Sequence, residues 1–169
     1  VAGNRLQEMT PEVLNLMAAA AEHVGENSLI GFNSMRAGAS VRQLHFQVFA
    51  NAPENFAIDQ AARVMAMPAQ MGVAIEKFKD YPAQAMIFSG ADRETRAAVA
   101  YNYIDSLKTA DVPYNVIVRR GSIYVFARSR VRDSLFPGRI AFAELAGIFY
   151  VSEANANEAR LAEALRTET

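Results

Sequence analysis

The chain runs through one order of elements twice, and that recurrence limits the fold more than any other feature. In each pass a helix leads to an aromatic residue and an asparagine, then to small residues, then to a strand. The first pass holds a helix opened by Thr10-Pro11-Glu12, then Gly31-Phe32-Asn33, Ala37-Gly38-Ala39-Ser40 and the strand around His45. The second holds a helix opened by Asp92, then Pro113-Tyr114-Asn115, Arg120-Gly121-Ser122 and the strand around Tyr124. Only the first copy carries a histidine in its strand. Residues 10–50 therefore read as a catalytic half and 73–151 as a degenerate second half, both inside one domain spanning 1–169.

Local signals place the elements. Thr10 is a helix cap, Pro11 suits the first helical position, Glu12 favours the positive end of the dipole, and Gly25 is a stop. Leu29–Asn33 and Val41–Ala50 read as strands. In the second, Gln43, His45 and Gln47 share one face, and Leu44, Phe46 and Val48 share the other. Residues 51–55 form a turn, and the Met-, Pro- and Gly-bearing stretch 65–72 reads as irregular. Strands are expected at Val73–Phe78 and Ala83–Phe88, and a helix from Asp92 to Lys108. Asn115–Val118 and Ser122–Ala127 should pair as a hairpin. One or two strands should follow within 140–151, then a helix capped by Ser152 and ending near Arg166. The sum is an α+β fold, an antiparallel sheet with helices packed mainly on one face.

Composition excludes several classes of function. The chain has 169 residues, no cysteine and two histidines, His23 and His45. That leaves no disulfide, thiolate nucleophile, zinc finger or iron–sulfur cluster, and too few histidines for a His-rich metal site. Seventeen basic residues against eighteen acidic ones give a net charge of −1, unlike the basic footprint of a nucleic-acid binder. Apolar runs such as Val13–Ala21 are too short to span a bilayer, and no signal peptide is evident, so a cytoplasmic location is expected.

The stretch from Gly31 to Gln47 is where chemistry concentrates. Gly38, Ala39 and Ser40 allow close backbone approach, so their N–H groups could cradle a phosphate, with the Ser40 hydroxyl and the Asn33 amide beside them. His45 has no carboxylate within five residues on either side. Its imidazole can act as a neutral nucleophile, provided one ring nitrogen donates to a backbone carbonyl.

This stretch resembles the histidine triad and galactose-1-phosphate uridylyltransferase superfamily, at its signature of Asn, small residues, Ser/Thr and alternating His and apolar positions. It is most like the GDP-L-galactose (GDP-hexose) phosphorylases, on Phe32-Asn33-Ser34 and Leu44-His45-Phe46-Gln47. The likeness continues through Tyr81-Pro82, Ile87-Phe88-Ser89-Gly90, Val112-Pro113-Tyr114-Asn115-Val116-Ile117, Ile123-Tyr124-Val125-Phe126 and Ala143-Glu144-Leu145-Ala146-Gly147. It implies a histidine-triad-like fold in which His45 attacks the α-phosphorus of a nucleoside diphosphate sugar or dinucleotide. A nucleotidyl-histidine would form and pass the nucleotide to inorganic phosphate or a sugar phosphate. Gln47 would donate to the α-phosphate, and Asn33 and Ser40 would hold non-bridging oxygens. In this superfamily, Gln at that position accompanies transferases and phosphorylases rather than hydrolases. Gln43 stands where the family has the first histidine, keeping a hydrogen bond without the acid–base behaviour. The family also has strands and a glycine-histidine segment ahead of the position matching Val1. No organic cofactor is implied, magnesium could arrive with the substrate, and a homodimer is compatible with the resemblance.

Of the arginines, Arg36 is the best placed to reach a diphosphate, since Arg42 faces away from His45 on a regular strand. Arg119 and Arg120 in the hairpin turn, and Arg128, Arg130 and Arg132, read as solvated faces. His23 reads as a surface cation at a helix end, and Met65, Met67 and Met71 as packing residues. Two other functions remain open: a non-catalytic nucleotide-binding or assembly module on the same scaffold, and a nucleotide hydrolase.

Overall fold

A computed structural model describes residues 6–50, 52, 54–129, 140–148 and 158–169. The helix signals translate directly. Helix α1 (Pro11–Val24) starts at Thr10, whose hydroxyl accepts from the Val13 N–H at 3.3 Å, and stops at Gly25 with φ +111°. Helix α3 (Arg93–Thr109) starts at Asp92, whose carboxylate accepts from the Thr95 N–H at 2.9 Å. These contacts satisfy donors that the first helical turn leaves without partners.

The strands are β1 (Leu29–Asn33), β2 (Gln47–Phe49), β3 (Arg63–Gln70), β4 (Val73–Phe78), β5 (Met86–Gly90), β6 (Tyr114–Arg119) and β7 (Ser122–Ala127). They form one seven-stranded sheet in the order β2-β1-β6-β7-β5-β4-β3, with every pair antiparallel. The β6–β7 hairpin turns at Arg120-Gly121, both with positive φ. Strands β1 and β6 are buried at every position, as expected of strands apolar on both faces.

Alternation sends their side chains into two cores. Ile30, Phe32, Val116, Val118, Ile123 and Val125 pack with Leu14 and Met17 of α1 and with Val99 and Ile104 of α3. Leu29, Ile117, Tyr124 and Phe126 face the other way. There they meet Ile58 of α2 (Ala57–Gln60), Phe142 and Leu145 of α4 (Phe142–Leu145), and Leu165 of α5 (Glu158–Glu168). The two long helices share one face as expected, but the second face is also covered by helices. Among the described residues no helix is long and apolar enough to cross a membrane.

Several expectations need correction. Residues 63–70 form a strand, not an irregular segment. As an edge strand β3 needs no ladder on its outer side, so it tolerates Pro68 and two register shifts. Met65 and Met71 are exposed there, 55% and 78%, rather than packed. The strand expected over 41–50 shrinks to 47–49, preceded by an isolated bridge between Leu6 and Gln43. Residues 142–145 form a helical turn, not a strand, with Glu144 accepting from the Ala141 N–H at 2.8 Å. Ser152 and the end of that expected strand lie outside the described residues, as do Arg130 and Arg132.

Arg119 and Arg128 are not solvated. Arg119 is completely buried and its guanidinium meets the Asp59 carboxylate at 2.7–2.9 Å, over the Phe56 ring. Arg128 is 5% exposed and donates to the Asn115 side-chain oxygen and the Ile140 carbonyl, each at 2.8 Å. A buried guanidinium requires a counter-charge or well-placed acceptors. Arg119 finds its counter-charge 60 residues away, and Arg128 finds its acceptors 13 residues before it and 12 after.

Candidate functional site

The site forms where the chain leaves β1 at Asn33, loops through residues 34–46 and returns as β2. Gly31 pairs with Gln47, so Gln47 lies on the face that carries Gly31 and Asn33. Gly31 admits the Phe142 ring: a Cβ there would sit 1.9 Å from a ring carbon. The loop is pinned at its start, where the Ser34 hydroxyl accepts from the Tyr114 N–H at 2.8 Å. Gly38, with φ +101°, takes a backbone form that favours glycine and packs against Ala141. The N–H groups of Gly38, Ala39 and Ser40 donate to no acceptor among the described residues, and Ser40 is exposed.

His45 is half-buried and belongs to neither apolar core, whereas Leu44 and Phe46 pack against the α1–α3 core. Its Nδ1 lies 2.8 Å from the Gln43 carbonyl oxygen. A carbonyl only accepts, so Nδ1 carries the hydrogen and the neutral ring keeps its lone pair on Nε2. The backbone of Gln43 thus sets the histidine tautomer. The Gln43 and Gln47 side chains are both exposed.

Asn33 is 7% exposed, and its amide is oriented by its neighbours. Its Oδ1 accepts from Asn115 Nδ2 at 2.6 Å and from the Phe142 N–H at 3.0 Å. That leaves Nδ2, a donor, as the end available to an anion. Arg36 goes elsewhere: it has φ +69° and pairs with Asp111 across the loop.

A residue that sequence reasoning missed holds this region together. Gln7, 5% exposed, accepts from the His45 N–H at 2.8 Å and donates to the carbonyls of His45 at 3.0 Å and Asn33 at 2.9 Å. No spacing announces it, because its partners lie 26 and 38 residues away. Next to it Glu8 meets Lys108 at 2.7 Å. Burial opposes the Lys108 charge, but the Glu8 and Tyr101 side chains outweigh it and raise the Lys108 pKa. Burial also pushes the nearby Tyr114 hydroxyl up to about 12.

A cavity of about 590 Å³ lies apart from His45, between α1, Arg96 of α3 and the β6–β7 turn. Arg96, Arg120, Glu22 and Glu26 line it, and Arg96 meets Glu22 at 3.7 Å. Among the described residues no group of His, Asp and Glu side chains is arranged to hold a metal ion.

Solved structures share this architecture. Yeast Ap4A phosphorylase in complex with Ap4A superposes with a TM-score of 0.71 at 14% identity, over 97% of this chain and 65% of that one. The same enzyme with AMP gives 0.67 at 14% identity, over 98% of this chain and 65% of the other. The chain has the histidine-triad-like fold. A curated relative, GDP-L-galactose phosphorylase 2 of Arabidopsis thaliana, is 26% identical over 121 residues. That match takes in 68% of this chain and 26% of the relative. The chain thus spans about a quarter of the curated relative and just under two thirds of the solved phosphorylases. No family model matches.

Proposed function

We propose that the chain carries a nucleotidyl-transfer site in which His45 Nε2 is the nucleophile. Its donor is a nucleoside diphosphate sugar or a dinucleotide, and its acceptor is inorganic phosphate or a sugar phosphate. The hydrogen bond from His45 Nδ1 to the Gln43 carbonyl carries this reading, because in the neutral ring it puts the hydrogen on Nδ1 and the lone pair on Nε2. The fold shared with a dinucleotide phosphorylase and the likeness to a GDP-sugar phosphorylase support the donor class.

The reaction runs in two displacements. The Nε2 lone pair attacks the α-phosphorus, and the bond to the bridging oxygen breaks with its electron pair leaving on the departing phosphate. The nucleotidyl-imidazolium retains its Nδ1–H, and the Gln43 carbonyl stabilises the positive charge. An acceptor phosphate oxygen then attacks the same phosphorus, and the P–N pair returns to Nε2. No proton has to move on or off the nucleophilic nitrogen. The Asn33 Nδ2, the Gln47 amide, the Ser40 hydroxyl and the free N–H groups at Gly38–Ser40 donate to the phosphate oxygens, acting through position and charge. The Gln43 side chain takes no acid–base part. Magnesium, where needed, arrives with the donor. Residues 10–50 supply the chemistry and the second half supplies scaffold.

A second reading, a nucleotide-binding module without turnover, is favoured by one observation: Arg36, the expected diphosphate cation, is held by Asp111. Intact-protein mass after brief incubation with nucleoside diphosphate sugars and dinucleotides separates the two. An acid-labile nucleotidyl adduct on the wild type but not on His45→Ala supports transfer, and its mass identifies the base. Nucleotide binding with no adduct from any donor overturns transfer in favour of the module.

A further inference from the structure

We infer that Gln7 is the positioning residue of this site, setting which ring nitrogen of His45 is free. The inference rests on the reading of His45 as the nucleophile. Residues 44–46 belong to no strand, so no ladder holds the peptide groups on either side of the histidine. Buried or half-buried peptide groups need partners, and one side chain provides them. Gln7 takes the His45 N–H on Oε1 and gives Nε2 hydrogens to the His45 and Asn33 carbonyls.

The same segment grips the other end of the tautomer-setting hydrogen bond. The Gln7 N–H donates to the Arg42 carbonyl at 2.7 Å, and Leu6 bridges to Gln43. The backbone that carries the imidazole and the backbone that carries its acceptor are therefore both fastened to residues 6–7. The segment is itself anchored by Met9, completely buried in the α1–α3 core, and by the Glu8–Lys108 ion pair. The chemistry requires an amide. Methionine matches its size but makes none of the three hydrogen bonds. Glutamate keeps the acceptor, yet sets a charge against two carbonyl oxygens.

Imidazole nitrogen NMR on the wild type, Gln7→Met and Gln7→Glu, with melting curves as a check on folding, reads the tautomer directly. Wild-type His45 should show a protonated Nδ1 and an unprotonated Nε2. In folded Gln7→Met that signature should be lost. Nucleotidyl transfer should fall about a hundred-fold in kcat with donor KM little changed. An unaltered His45 tautomer in a folded variant overturns the inference. Hydrogen exchange on the wild type tests the same point without a variant. The His45 N–H and the Gln7 side-chain amide should exchange far more slowly than the amides of Gly38–Ser40, and equal rates overturn the positioning role. If wild type forms no adduct, the transfer reading falls while the tautomer and exchange measurements still decide the role of Gln7.

Discussion

Asn115 stands directly opposite Asn33 where β6 pairs with β1, and donates to its side-chain oxygen at 2.6 Å. Arg128 in turn donates to the Asn115 oxygen, so a guanidinium orients two buried amides in series. The outcome is directional. With Oδ1 of Asn33 occupied, the residue can offer an anion only its donor end. The two asparagines lie 82 residues apart, as do the helix caps Thr10 and Asp92, and the Phe32 and Tyr114 rings beside them stack at 6.2 Å.

Changing Asn115 should therefore affect binding as well as stability. Asn115→Leu strands polar atoms of Asn33 and Arg128 and should cost about 1–3 kcal/mol. Asn115→Asp keeps a partner for Arg128 but cannot donate to Asn33, which leaves the Phe142 N–H alone to orient that amide and sets a carboxylate beside its oxygen. Calorimetric titration with a nucleoside diphosphate sugar should show weaker binding by Asn115→Asp than its unfolding midpoint accounts for. Affinity that simply follows stability would show that the orientation of Asn33 is irrelevant to the ligand.

Gly31 should tolerate no side chain while Phe142 is present. A Cβ 1.9 Å from the ring forces Phe142 off its position, and overpacking of this kind costs about 1–3 kcal/mol. Urea unfolding should place Gly31→Ala well below the wild type, with part of the loss recovered in Gly31→Ala/Phe142→Leu. Equal midpoints for Gly31→Ala and wild type would mean that the ring has another place to go.

Both long helices were legible because caps and stops are local chemistry: Thr10-Pro11, Gly25 and Asp92 act on backbone within a few residues. The central strands were legible because β-branched runs buried on both faces have few alternatives. Long-range pairing was not. Arg119 looked solvated because Asp59 lies 60 residues away, and Gln7 carried no signal because its three hydrogen bonds depend on how the loop folds back. Residues 142–145 resembled strand because a short apolar run has no readable period. At the site, the chemical requirement of a backbone acceptor for one His45 nitrogen was readable, whereas the occupation of Arg36 by Asp111 was not.

The Asp59–Arg119 pair should be costly to break from one side. Arg119 is fully buried, so Asp59→Asn leaves a guanidinium without its counter-charge, at about 3–5 kcal/mol. Arg119→Met in the Asp59→Asn background removes that charge and should restore part of the midpoint in denaturant titrations. A double variant no more stable than Asp59→Asn would show that the remaining contacts of Arg119, those to the Ser28 and Glu54 carbonyls among them, matter more than the ion pair.

Asp92 and Glu144 should give acid stability opposite signs. The Thr95 N–H and hydroxyl bind the Asp92 carboxylate and hold its pKa below the ordinary 3.8. The folded state therefore prefers the ionised form. This contribution is present above the ordinary value and is lost as pH falls through the lower, folded one. Glu144 is the reverse: burial raises its pKa above 4.5, against the pull of the Ala141 N–H and Arg128. Here the folded state prefers the proton, so the contribution is full below the ordinary value and declines as pH rises through the raised one. Asparagine can still cap a helix, and glutamine can still accept from Ala141. In urea unfolding from pH 3 to 7, Asp92→Asn should lose less stability than the wild type on acidification below pH 4. Glu144→Gln should gain on the wild type as pH rises above about 4.5. Parallel pH profiles for the wild type and either variant would show that the carboxylate concerned titrates alike in the folded and unfolded chains.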